Sequence, residues 1–399
     1  MSTLHRVEKY LNTLCVTIRN RRTGSPGNRA ATEFFARTIE PWGYMLDTHP
    51  FACLDHESKR AACSCNEASF HVEISPYSLP CDVSSELISV TTVEELERTE
   101  CRNKILLMRG EICAEQLMPK NFVFYNPDHH KRLYALLEAK QPAAIVTATA
   151  RNPDLVGALY PFPLIEDGDF DIPSVFCTDV VGVEIAAKTA KMFHLKTEAR
   201  RIPSAAYNVI ARKNPEAEGK IICCAHIDTY INTPGASDNA SGVIVLLLLA
   251  EMLRYTPVKA GIEILAMNGE DNFSAGGEMD YLRRYGDDLK NALFAVNIDD
   301  LGYRKGRSAY SFYECSGEFA QTAHAAFARY PGLIPGDCWY QSDHMVFVQN
   351  SVPAIALTSD QISELMANFT HTPKDTPDIV DCEKLVEAAE ALRDLFARF

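Results

Sequence analysis

The chain has no unbroken apolar run long enough to cross a membrane. The longest, Val243–Ala250, stops at eight residues, against the ~20 that a spanning helix needs. Positive charge is the minority sign: 39 Lys and Arg stand against 53 Asp and Glu, a net −14. An acidic chain repels phosphate backbones and anionic lipid, which argues against nucleic acid or a membrane as a main partner. The opening MSTLHRVEKYLNTL alternates polar and apolar residues at helical spacing. It lacks the apolar stretch of a secretory signal, so the expected location is cytoplasmic. No C-x-x-C pair occurs among the 13 cysteines. Cys53, Cys63, Cys65 and Cys81 therefore read as plain thiols rather than a zinc cluster. Adjacent Cys223 and Cys224 lie in an apolar run, where they would point to opposite faces of a strand. That suits buried free thiols better than a disulfide frame. There is no internal repeat.

What is present is ordinary globular usage, 47% apolar and 23% charged over 399 residues, enough for about two or three domains. Three stretches differ in rhythm. Residues 1–75 open with a helical face, Leu4, Val7, Leu11 and Leu14. A turn at Gly24-Ser25-Pro26-Gly27 follows, and then a helix from Arg29 to Ile39. Residues 76–205 alternate short apolar pieces with turns around a helix at Arg132–Lys140, as a small α/β unit would. Residues 206–399 carry four apolar runs that read as strands, beginning at Ile221, Ile262, Leu293 and Ala354. Helical segments lie between several of them, and an amphipathic helix from Glu383 closes the chain. The expected fold is α/β, a mainly parallel central sheet with helices on both faces.

In such a sheet, ligands bind beyond the carboxyl ends of the strands, and the chemistry-bearing residues fall there. His226 and Asp228 follow the first run. Glu270 and Asp271 follow the second, after Asn268-Gly269. Asp299 and Asp300 follow the third. Asp238 precedes the long apolar helix, and His371 sits in a late loop. Each alone has a bland reading: a surface histidine, an N-cap, a solvated acid pair. Together they crowd carboxylates, which repel one another and resist burial. A divalent cation relieves both penalties, and histidine plus carboxylate without thiolate suits a catalytic zinc-type site.

His226-x-Asp228, Gly235-Ala-Ser-Asp-Asn-Ala-Ser-Gly242, Glu270-Asp271, Asn297-x-Asp299, Ser342-Asp343-His344 and His371-Thr-x-x-Asp375-Thr occur in that order. The set resembles the co-catalytic zinc aminopeptidases of metallopeptidase family twenty-eight, a family that also holds glutamate carboxypeptidases and glutaminyl cyclases. The resemblance covers the first stretch, including Gly24–Ala31, and residues 207–399. The middle stretch resembles the protease-associated insertion that many members carry.

The resemblance implies a zinc exopeptidase fold and two divalent ions, zinc by preference. Asp238 would bridge them. His226 and Asp299 would complete one ion, and Asp271 and His371 the other. Glu270 would be the general base for a metal-bridged hydroxide, and Asp228 would orient the His226 ring. Trp339 and Tyr340 lie where relatives place an aromatic near the developing oxyanion. Asp343 would either orient a ligand such as His371 or cap the helix that starts near Met345. One departure stands out: most of the aminopeptidase branch has Glu-Glu where this chain has Glu270-Asp271. Asp is one methylene shorter but remains a competent oxygen ligand.

The function implied is an exopeptidase acting on peptides, foremost an aminopeptidase. A glutaminyl cyclase, a glutamate carboxypeptidase-like enzyme and a non-catalytic binding protein on the same fold are the alternatives. A homo-oligomer stays open.

Overall fold

A computed structural model describes residues 2–122, 125–151, 156–272 and 276–399. The chain divides into two compact units, one of Met1–Cys53 with Ala205–Phe399, the other of Leu54–Ser204.

The first unit is built on an eight-stranded sheet. From edge to edge its strands are Met45–Asp47, Val209–Lys213, Gly261–Met267, Lys220–His226, Ala292–Ile298, Ala354–Ser359, Ser308–Tyr313 and Leu333–Pro335. The four central strands run parallel, while Val209–Lys213 and Ser308–Tyr313 are antiparallel to their inner neighbours. The central strands are buried along nearly their whole length. Burial on both faces is why they read as continuous apolar runs rather than as alternating ones. Cys223 joins the main core beside helix Ser241–Leu253, and Cys224 lies on the other side, against Asn297.

Helices cover both faces, as the alternation predicts. Ser241–Leu253 packs on the sheet, with Thr3–Asn12, Pro26–Ile39 and Cys382–Phe396 around it. On the opposite face, Tyr281 of helix Gly277–Tyr285 meets Phe347 of helix His344–Val348. A helix that is apolar on every side belongs in a core, and in Ser241–Leu253 only Glu251 and Met252 escape full burial. Together with the turn before it, Ala236–Leu253 is by length and hydropathy sufficient to cross a bilayer, which corrects the impression left by the eight-residue run. Its side chains are mostly buried inside the unit.

The sequence suggests a turn at Gly24-Ser25-Pro26-Gly27 and a helix from Arg29. In the structure those residues begin the helix Pro26–Ile39. Ser25 is its N-cap, accepting the Asn28 N–H at 3.1 Å, and Pro26 takes the first position, where its missing N–H is harmless.

The second unit holds another eight-stranded sheet, ordered Ala68–Phe70, Pro50–Cys65, Met192–Tyr207, Cys81–Val90, Ile105–Arg109, Ala144–Thr149, Ser174–Thr178 and Glu73–Ile74. Helix Asp179–Ala186 packs on this sheet, and helix Asp128–Lys140 contributes Leu133, Tyr134 and Leu137 to the unit's core. The unit starts at Leu54, not at residue 76 as the composition suggests. The boundary lies inside the sixteen-residue strand Pro50–Cys65. No glycine occurs between Gly43 and Gly110, so nothing punctuates the chain where the units divide. None of the 13 cysteines is in a disulfide.

Gly242 sets the seat of the central helix. A Cβ there would lie 2.5 Å from the Ile298 carbonyl oxygen, 2.5 Å from Asn239 Oδ1 and 2.9 Å from Ala225 Cβ. Overpacking of this kind typically costs ~1–3 kcal/mol. Gly242→Ala should therefore unfold at lower urea concentration than the wild type, and an unchanged midpoint would contradict the close seat.

Candidate active site

The carboxyl ends of the central strands bring the charged residues together. His226 is the last residue of Lys220–His226, and Asp299 follows Ala292–Ile298 directly. Glu270 and Asp271 occupy the loop after Gly261–Met267. Asp238 lies in the tight turn Ala236–Ala240 that feeds the central helix, and His371 follows helix Ile362–Asn368.

Asp238 stands at the centre. Its Oδ1 is 3.1 Å from His226 Nε2, and its Oδ2 is 3.2 Å from His371 Nε2. Each histidine faces a second carboxylate: Asp299 Oδ1 is 3.3 Å from His226 Nε2, and Asp271 Oδ1 is 2.7 Å from His371 Nε2. Two groups of potential ligand atoms result, His226–Asp238–Asp299 and Asp238–Asp271–His371, and they share one carboxylate. Glu270 Oε2 lies 3.9 Å from His226 Nε2. Asp271 is almost wholly buried, with His371 Nε2 its close polar neighbour. A buried carboxylate and an imidazole nitrogen brought together beside Asp238 suit ligands that converge on a common centre. The donor set, two imidazoles and carboxylates without thiolate, fits zinc-type divalent ions.

The electrostatics agree. Burial works against a charged His226, but Asp299 and Glu270 outweigh it and hold the ring well above its ordinary value. His371 is likewise buried, and Asp271 and Asp238 raise it well above 6.5. Burial pushes Asp271 up to about 6, and the Asp238 charge adds to this. Glu270 is raised well above the usual carboxylate range by burial and by the neighbouring acids Asp299 and Asp271. For Asp238 burial pulls upward, but hydrogen bonds from His226 and His371 win and lower it. Protons thus compensate the clustered acids in the metal-free chain.

The loops that carry these groups are tied down by backbone contacts. Asp375 accepts the N–H groups of Ser237 at 2.8 Å and Asp238 at 3.0 Å. Ser342 Oγ donates to Asp299 Oδ2 at 2.7 Å and accepts from Asn297 Nδ2 at 2.8 Å. The Tyr230 ring stacks on His371 with centroids 4.9 Å apart.

Residues 208–396 match the profile of the family described as Peptidase family M28. Over that segment, just under half of its length, the chain is similar to peptidase family M28. The alkaline phosphatase isozyme conversion protein of Escherichia coli is 37% identical over 108 residues, 23% of this chain and 31% of that protein. The probable lipoprotein aminopeptidase LpqL of Mycobacterium tuberculosis is 23% identical over 297 residues, 70% of this chain and 55% of that one. The chain therefore spans between about a third and just over half of these two relatives. Among solved structures, the aminopeptidase from Aneurinibacillus sp. strain AM-1 superposes with a TM-score of 0.76 at 21% identity, covering 98% of this chain and 92% of that one. At that identity the superposition establishes a shared fold.

Asp228 faces the His226 ring, its Oδ1 3.7 Å from Nδ1. It also accepts from the Gly269 N–H at 3.0 Å and from Asn272 Nδ2 at 2.8 Å, bracing the loop that carries Glu270 and Asp271. Asp343 precedes helix His344–Val348 but makes no side-chain cap bond. It lies within electrostatic reach of His226. Burial, then the charges of Asp299 and Asp228, push it up to about 7 despite His226. Asp300, beside Asp299, is buried. The Trp339 carbonyl accepts from His344 Nε2 at 2.9 Å and from the Tyr313 hydroxyl, while the Tyr340 side chain stays exposed.

A third grouping, Glu115 with His129 and His130, lies in the second unit. Burial lowers the pKa of His130, so its ring is neutral. The Met118 N–H donates to its Nδ1 at 3.1 Å. The ring proton therefore sits on Nε2, 3.3 Å from Glu115, and a protonated nitrogen is no ligand.

Sequence reasoning gave no role to Asp375, although the His371-Thr-x-x-Asp375 spacing displays it. Tyr230, two residues past Asp228, and Arg21, just ahead of the Gly24 turn, were also passed over.

In the metal-free chain at neutral pH, His226 and His371 carry protons that a bound cation must expel. Zinc titrated calorimetrically at pH 7 should release protons, seen as a binding heat that changes with the buffer's ionisation enthalpy. A heat that is the same in every buffer would contradict this.

Proposed function

We propose that the chain is a dinuclear metallo-aminopeptidase that hydrolyses N-terminal peptide bonds, with Glu270 as general base. The observation that carries the reading is the Asp238 carboxylate, whose two oxygens each face a different histidine backed by its own second acid. His226, Asp299 and Asp238 would hold one zinc-type ion, and Asp271, His371 and Asp238 the other. When bound, two such ions lower the pKa of a water and polarise the scissile carbonyl.

The chain's own residues supply the rest. The Glu270 side chain is 19% exposed against 1% for Asp271, so a substrate can reach it. Its carboxylate takes the proton of the attacking water and returns it to the leaving nitrogen. Tyr340 presents an exposed hydroxyl on the loop that Ser342 ties to Asp299. We assign it as a donor to the developing oxyanion. Ser342, by occupying Asp299 Oδ2, leaves Oδ1 turned toward His226. Support for the exopeptidase class comes from the M28 profile and from the aminopeptidase names carried by the relative and the superposed structure. We read Leu54–Ser204 as the protease-associated insertion.

Glu270→Gln should keep its zinc, measured by elemental analysis, while kcat on an aminoacyl-arylamide falls by about 10²–10⁴-fold, the span of a lost general base. Unchanged turnover would remove Glu270 from the mechanism. Wild-type activity confined to N-blocked peptides, or cyclisation of N-terminal glutamine without hydrolysis, would replace the aminopeptidase reading with the carboxypeptidase or the cyclase.

A further inference from the structure

We infer that Arg21 and Asn28 bracket the two loops that carry the metal-binding side chains. The amino-terminal segment, outside the family match at 208–396, thereby sets the spacing of His226, Asp238 and the Glu270–Asp271 pair. The inference rests on the reading of the site as a divalent-metal centre.

Arg21 is 1% exposed, among the largest fully buried side chains of the protein. A buried guanidinium is ordinarily matched to a carboxylate, but among the described residues none lies within ion-pair distance of this one. Its guanidinium donates to four backbone carbonyls and also lies against the Cys15 thiol. Nε donates to Ile227 at 3.1 Å, Nη1 to Leu14 at 2.7 Å and Pro234 at 2.8 Å, and Nη2 to Gly235 at 2.9 Å. Ile227 directly follows His226, and Pro234-Gly235 lie just before the turn that holds Asp238. One planar fork therefore grips both ends of the loop between two ligand residues, and tethers them to the first helical segment through Leu14.

Gly235 is shaped for this grip. It has φ +63°, and a Cβ there would stand 2.8 Å from Arg21 Nη2 and 2.5 Å from the Asp238 carbonyl oxygen.

Asn28 extends the bracket to the other loop. Its Nδ2 donates to the Arg21 carbonyl at 3.0 Å and to Asn268 Oδ1 at 2.5 Å. Asn268 stands two residues before Glu270. Its N–H donates to Asn208 Oδ1 at 2.9 Å and its side chain to the Tyr207 carbonyl at 2.8 Å. The helix start at Ser25-Pro26 fixes where Asn28 points. The Arg21 charge also opposes the acids around it, lowering Asp375 against the burial that raises it.

A lysine in place of Arg21 would keep the charge but offers a single ammonium, which cannot span carbonyls on three segments. That separates a bracket from a mere buried cation. The experiment measures zinc affinity by competition with a chromophoric chelator for the wild type, Arg21→Lys and Asn28→Ala, with folding followed by far-UV circular dichroism. Folded variants should bind zinc about 10–100-fold more weakly, the usual penalty for losing a group that orients ligands. Added guanidinium should recover part of the affinity of Arg21→Ala. Folded variants with wild-type affinity would overturn the bracket. Should Arg21→Lys not fold, Asn28→Ala, which removes only the link to Asn268 and the Arg21 carbonyl, decides alone. A wild type that binds no zinc would overturn the metal reading instead, so the two failures are distinguishable.

Discussion

The structure depends on holding many carboxyl groups close together, out of water, at one end of one sheet. Asp238, Asp271, Asp299, Asp300, Asp343 and Asp375 are all buried there. Each pair repels more strongly as water is excluded, and burial alone drives most of these groups toward their neutral forms. Such a cluster does not assemble for stability. It persists because the backbone leaves the side chains no other place. Asp375 is pinned by two N–H groups, Asp228 by the Gly269 N–H and the Asn272 amide, and Asp299 by Ser342. Much of the hydrogen-bonding capacity around the site is spent on fixing loops, while oxygens of Asp238, Asp271 and Asp299 face the two histidines.

Burial is graded across the site. Asp271 and His226 are essentially closed off, whereas Glu270 and His371 keep a fifth of their side-chain surface. A ligand gains from seclusion, since exclusion of water strengthens its hold on a cation. A proton carrier must meet both water and substrate. On the proposed reading these demands fall to neighbours in sequence, Glu270 and Asp271, whose side chains differ in reach by one methylene and in exposure by much more.

The fold class was legible because parallel strands buried on both faces leave an unmistakable sequence record. Ile221–Ala225 and Ile262–Met267 could hardly be anything else, and the polar residue that ends each run marks the site. The boundary of the second unit was not legible, because Pro50–Cys65 is one uninterrupted strand whose residues belong to both units and whose ends alone carry punctuation. The site's charged residues could be picked out one by one, since acids placed after apolar strands are conspicuous. Their supports could not. Asp228 faces the His226 ring and also braces the Glu270–Asp271 loop through the Gly269 N–H and Asn272, contacts set by side-chain direction over a few ångströms. Arg21 is invisible for a related reason: a guanidinium held chiefly by carbonyls has partners that every sequence possesses, so no residue type advertises the contact.

The central helix joins core and chemistry. Ser241–Leu253 is packed so completely that it has little freedom to shift, and Gly242 lets its first turn press against the Ile298 carbonyl and Ala225. Asn239, one residue after Asp238, donates to that same carbonyl through Nδ2 at 2.8 Å and accepts the Gly242 N–H at 2.9 Å. The turn with Asp238 is thereby anchored to the strand that ends beside Asp299, by a residue next to the one carboxylate that serves both histidines. Displacing the helix would move Asp238 relative to Asp299, and the two ligand groups would lose their common oxygen pair together. Preorganisation of a polar site is usually sought among its polar neighbours. Here its rigidity derives from leucine packing a full helix away.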